Sequence, residues 1–99
     1  MNKIILIEKK PYLVSNEEIQ IGDEVIVTVG GQYPSKMNCE NEIVLSLIKN
    51  PKLTLTQSYK IVSGPDKVNI PESRIDLIFE NGGICDVSVD GSELKFDNI

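Results

Sequence analysis

The chain has 99 residues, 40% of them hydrophobic and 25% charged, with no histidine and a formal net charge of −5. That is the length of one domain, residues 1–99, and an ordinary globular composition, which excludes a chain dominated by disorder. The acidic balance argues against binding by counterion release, so nucleic acid is not an expected partner.

Lys3 to Glu8 is β-rich and reads as a first strand. Its apolar run, Ile4-Ile5-Leu6-Ile7, is too short for a signal h-region or a membrane span. The expectation is a cytoplasmic protein with no membrane partner. Pro11 cannot donate to a ladder and interrupts the strand, and Tyr12-Leu13-Val14 resumes it. Ser15-Asn16-Glu17-Glu18 reads as a turn or a single helical turn, in which Ser15 could cap the amide three residues on. Gly22-Asp23 marks a tight turn. Glu24 to Val29 is the best strand, rich in β-branched residues. A strand after Ile19-Gln20-Ile21-Gly22-Asp23 is also the pattern of small, strongly bent barrels, an analogy at the level of fold only.

Gly30 to Asn41 shows no periodicity and reads as a long loop. Connections of about twelve residues are uncommon in compact domains and often carry function. Its candidate interaction residues are Tyr33, Lys36 and Met37. Tyrosine suits an interface hot spot, methionine adapts to uneven partners, and the lysine could orient an acidic partner. The plainer reading is that Tyr33 packs back onto the sheet and the loop only connects strands. The Gly30-Gly31 amides offer a different use, as anion donors. Glu42 to Lys49 fits two periods. Ile43, Val44, Leu47 and Ile48 make a helical face, and Ile43, Leu45 and Leu47 alternate. The reading leans to a strand, ended by Asn50-Pro51. Leu53 to Thr56 alternates, Ser58 to Val62 reads as a strand, and Gly64 to Lys67 as a turn.

The segment from Pro71 decides the class. Ile75, Leu77 and Phe79 fit a strand with an Asn81-Gly82 hairpin turn. Ile75, Ile78 and Phe79 fit a helix that buries the Phe79 ring. Pro71 would then open it at the first helical position, Glu72 would sit at the positive end of the dipole, and Gly82-Gly83 would stop it. On periodicity the two readings stand even. The run Tyr59–Asp90, through Lys60-Ile61-Val62, Ile70-Pro71-Glu72-Ser73, Ile75, Phe79, Asn81-Gly82 and Asp86-Val87-Ser88-Val89, resembles a group of short uncharacterised proteins of Bacteroidetes and their phages. Tyr12 to Ile19 with Gly22-Asp23 resembles their amino-terminal region, and Gly30 to Thr56 has no counterpart. The resemblance implies a helix near 71–82 followed by a last acidic-apolar strand, and a phage-accessory setting; it implies no activity. Val87 to Phe96 closes the chain as a hairpin with Asp90-Gly91 in the turn.

Without histidine there is no imidazole base and no Ser-His or Cys-His pair. Cys39 and Cys85 form no CxxC motif, so two free thiols are expected, with no metal and no cofactor. Cys85, in a strand-like run, is the expected core residue, and Cys39, in a polar loop, the accessible one. Asp86, Asp90, Ser92 and Glu93 share the composition of a calcium loop, but strand geometry puts Asp86 and Asp90 about 13 Å apart. Asp23 and Glu24 face opposite ways on a strand and would need a cleft for acid–base work. No catalytic residue is assigned, and the chain is not expected to be an enzyme.

The expected fold is α+β: a small bent antiparallel sheet of five to seven strands, or an open SH3-like barrel, with one covering helix near residues 71–82. The expected function is that of a non-enzymatic phage-accessory or host-interaction protein acting by protein–protein binding. The alternatives are a small-molecule or nucleotide-binding module and a minor structural protein of a virion.

Overall fold

The computed structural model of the chain describes residues 2–29, 34–50, 56–91 and 93–96. They form an α+β fold of seven strands and two helices: β1 (Asn2–Ile7), β2 (Lys10–Ser15), β3 (Glu24–Val29), β4 (Ser35–Asn38), α1 (Glu42–Ile48), β5 (Thr56–Ser63), α2 (Glu72–Glu80), β6 (Ile84–Asp90) and β7 (Glu93–Phe96). The antiparallel strands neighbour one another in the orders β4-β3-β5 and β2-β1-β6-β7. The chain divides into two compact units, Met1–Ser15 with Val62–Ile99, and Asn16–Ile61.

The first unit is built on three antiparallel pairings, β1 with β2, β1 with β6 and β6 with β7. The β1–β2 hairpin turns through Glu8 and Lys9, both with positive φ, at 51° and 63°. A two-residue turn of this shape matches the twist of its strands but is usually built from asparagine and glycine. Lys9 has local compensation: its ammonium lies 4.9 Å from the centre of the Phe79 ring and 4.0 Å from Asp76. Alternation sends Ile4 and Leu6 to one face, where Ile4 stands opposite both Leu13 and Cys85. There they form a core with Val68, Ile70, Ile78 and Val87. Lys3, on the other face, is ion-paired with Asp86, its register partner. That face is buried too, at Ile5, Tyr12 and Val14.

Helix α2 closes the core. Pro71 is its N-cap, one position earlier than its expected place, and the Arg74 and Ile75 amides donate to its carbonyl at 3.0 and 3.1 Å. The far end is a Schellman stop. Gly83 donates its amide to the Ile78 carbonyl at 2.8 Å, Gly82 donates to Phe79 at 3.3 Å, and Gly82 holds φ at +100°. The glycine pair does the work expected of it. The Leu6 amide then donates to the Gly83 carbonyl at 2.8 Å, fixing the helix end to β1. The helical face differs from the expected one. Ile78 is wholly buried and Ile75 half-buried, but Phe79 is 52% exposed. Successive helical residues lie about 100° apart, so a helix that centres Ile78 on the core turns its neighbour aside.

The second unit pairs β3 with β4 and with β5, both antiparallel. Its core is Ile19, Val25 and Cys39, with Val27, Leu45 and Ile48 against it. Asp23 holds the turn before β3: its carboxylate accepts the Gln20 amide at 2.8 Å and lies 3.6 Å from Lys60. Its carbonyl accepts the Cys39 amide at 2.9 Å, and the Gly22 amide donates to the Cys39 carbonyl at 2.8 Å.

Three expectations are corrected in this region. The segment read as a strand is helical over Glu42–Ile48, because Asn41 caps it: the Val44 amide donates to the Asn41 side chain at 3.0 Å. Such a cap is worth about 1 kcal/mol, and Leu45 and Ile48, three apart, then meet the core. The expected long loop is interrupted by β4, whose residues complete the ladder of β3. Ser15 starts no helical turn; it is the last residue of β2 and is buried. The alternating Leu53–Thr56 run falls mostly outside the described residues, which resume at Thr56.

The thiols also exchange their expected places. Both are free, but Cys39 is wholly buried and Cys85 only partly so. Burial pushes the Cys85 thiol up from its ordinary pKa; the Asp86 charge adds to this, while a backbone hydrogen bond at Ile4 and the Arg74 and Lys3 charges oppose it. Since the thiolate is the reactive form, a disulfide reagent at neutral pH should modify native Cys85 slowly and Cys39 more slowly still. Both should react at once in denaturant. Quenched labelling with mass spectrometry checks this, and Cys39 reacting first would contradict the packing.

Candidate functional site

Of the residues singled out in the sequence, Tyr33 lies outside the described residues. Lys36 and Met37 sit on β4, not in a loop. Lys36 stands diagonally across from Glu24 and is ion-paired to it at 3.1 Å. That pairing offsets the positive charge meant to attract a partner. Met37 stands opposite Val25 and is 39% exposed.

The sequence reading missed the neighbours of Met37. Helix α1 has more apolar residues than its inward face can use. Leu45 and Ile48 pack on the core, which leaves Ile43 74% and Leu47 57% exposed. At i and i+4 these two lie one above the other on the helix surface. Ile21 is exposed as well, and the hydrogen bond from Gly22 to Cys39 brings it to the junction of β4 and α1. Ile21, Met37, Ile43 and Leu47 therefore belong to chain segments that meet at Cys39. The missed signal was the cap: Asn41 followed by Glu42 marks a helix start, and a helix of this register cannot bury all of Ile43, Leu45, Leu47 and Ile48.

The first unit carries a different feature, an open groove of about 470 Å³. Its walls are Leu13, Val68, Pro71, Val89, Leu94 and Phe96, and its rim bears Ser63, Lys67, Asn69 and Glu93. The Arg74 guanidinium lies 4.9 Å from the centre of the Phe96 ring and supports that wall.

Among the described residues, no group of three or more Cys, Asp or Glu side chains is gathered as a metal would require. No helix there is long and apolar enough to cross a membrane. No protein-family model, no curated protein and no solved structure matches the chain.

Proposed function

We propose that this chain is a non-enzymatic accessory protein that works by binding another protein. The observation that carries the reading is the outward pair Ile43 and Leu47 on α1, with Met37 and Ile21 on adjoining segments. Single exposed apolar residues are normal on any protein surface. Two stacked on one helix face, with a methionine on the strand before it, form the kind of anchor pair that a helix presents to a hydrophobic groove. The phage-accessory setting rests on the sequence resemblance alone.

The test uses a double variant, Ile43→Ser/Leu47→Ser. Both positions are exposed, so each change should move stability by no more than about 0.5 kcal/mol. With an unchanged melting curve, the variant should lose whichever protein the unmodified chain retains from a lysate of its source cells. A Met37→Ala variant should weaken the same capture. Identical capture by all three proteins would remove α1 and β4 as the binding surface.

A further inference from the structure

We infer that the groove of the first unit binds a short apolar zwitterion of about dipeptide size. The walls supply an apolar bed of aliphatic side chains and the Phe96 ring, and the rim supplies one cation, Lys67, and one anion, Glu93. Among the described residues neither of these charges is ion-paired, whereas Lys3, Lys9, Lys36, Lys49, Lys60 and Lys95 each have a carboxylate within 4.0 Å. Lys67 and Glu93 therefore border one groove without closing on each other. A ligand with a carboxylate at one end, an ammonium at the other and apolar side chains between them complements both charges and the walls together.

Size agrees with this occupant. Pockets for small organic ligands run from about 300 to 1,000 Å³, mostly apolar with a few polar groups that fix orientation. The groove lies within that range, and Ser63 and Asn69 add neutral hydrogen-bonding groups to its rim. Three of the lining residues are tied to the buried core. Val68 belongs to the buried core, and Leu94 and Phe96 pack against it from β7. Val89 and Leu94 face each other in the β6–β7 ladder, so one register sets both walls. A purely apolar ligand would leave both rim charges unused, and a simple anion would leave Glu93 facing it.

The experiment is an amide chemical-shift titration of the whole chain with leucyl-phenylalanine, its N-acetyl derivative and its C-terminal amide. The free dipeptide should give saturable shifts centred on Lys67, Val68, Val89 and Leu94. Removing either end charge from the probe should weaken binding about fivefold, the scale of one exposed charge pair. Lys67→Gln should weaken the free dipeptide by a similar factor and bind the C-terminal amide no worse than the unmodified chain does. Glu93→Gln should do the same for the N-acetyl derivative. Both side chains are exposed, so neither variant threatens the fold. Shifts that never saturate would overturn the proposal. So would equal affinity for the three probes, indifference to both variants, or shifts centred on the exposed Leu77 and Phe79.

Discussion

Gly64→Ala is expected to destabilise the protein more than any other single methyl addition at a described glycine. Gly64 holds φ at +129°, and a Cβ there would meet the Pro11 carbonyl oxygen at 2.6 Å and the Tyr12 Cα at 3.1 Å. Both atoms are backbone atoms of β2, in register with Leu6 and Ile5 of β1. They cannot swing aside as the end of a side chain can. The strained backbone costs about 1–3 kcal/mol and the overlap about as much again. A fold of this size holds roughly 5–15 kcal/mol in total. Gly22→Ala is the control, since Gly22 has φ +100° with nothing within 4 Å of its would-be Cβ. Gly22→Ala reports the backbone term alone. Urea unfolding followed by circular dichroism should show a much larger loss for Gly64→Ala. Equal losses would mean that β2 does not press against Gly64.

The contrast between the two helices shows what the sequence could and could not declare. Both ends of α2 carry residues with few other uses: a proline that suits a helix start and two glycines that allow a left-handed stop. Those marks survive any uncertainty about the face. The face is less legible, because Ile75, Ile78 and Phe79 all fit one stripe and the nine-residue helix buries only Ile78 fully. Helix α1 is shorter, and its apolar residues satisfy period 2 and period 3.6 equally. Only the Asn41 cap separates the two readings, and it stands at the end of a segment with no periodicity of its own. Strand β4 is harder still. Ser35-Lys36-Met37-Asn38 has no β-branched residue and is exposed throughout. It is a strand because β3 offers it a ladder, which is a tertiary cause with no local mark.

The candidate surface was half legible for the same reason. Met37 stands out because a large apolar side chain in a polar segment is unusual. Ile43 and Leu47 fall on the apolar face under both periods of 42–49, so neither period marks them as surface. Their exposure follows from the face the helix turns inward, which puts Leu45 and Ile48 on the core instead. The groove was not legible at all. Leu13, Val68 and Leu94 come from three distant parts of the chain, and only the sheet register and the 64–71 connection bring them to one place.

Ile78→Ala should cost about 2–5 kcal/mol, and Phe79→Ala about 1 kcal/mol or less, although phenylalanine is the larger side chain. Ile78 is 0% exposed and sits at the centre of the core with Ile4, Leu6 and Val87. Its truncation removes buried methyl groups and leaves a cavity among residues held by strand pairing, which limits relaxation. The hydrogen bonds at the helix end are made by backbone atoms and survive the change. Phe79 is half in solvent, so alanine there gives up mainly its contact with the Lys9 ammonium. An exposed contact of that kind contributes about 0.5–1 kcal/mol. For a domain near 100 residues each kcal/mol moves the melting temperature by about 4–8 °C, so the two variants should separate clearly in one thermal scan. The Lys9→Ala/Phe79→Ala double variant should lose no more than the two single losses combined, and less if the contact is the main term. If Phe79→Ala proved the more damaging, the helix would have to be turned by about 100°. The core would then be built on the face that the sequence pattern first suggested.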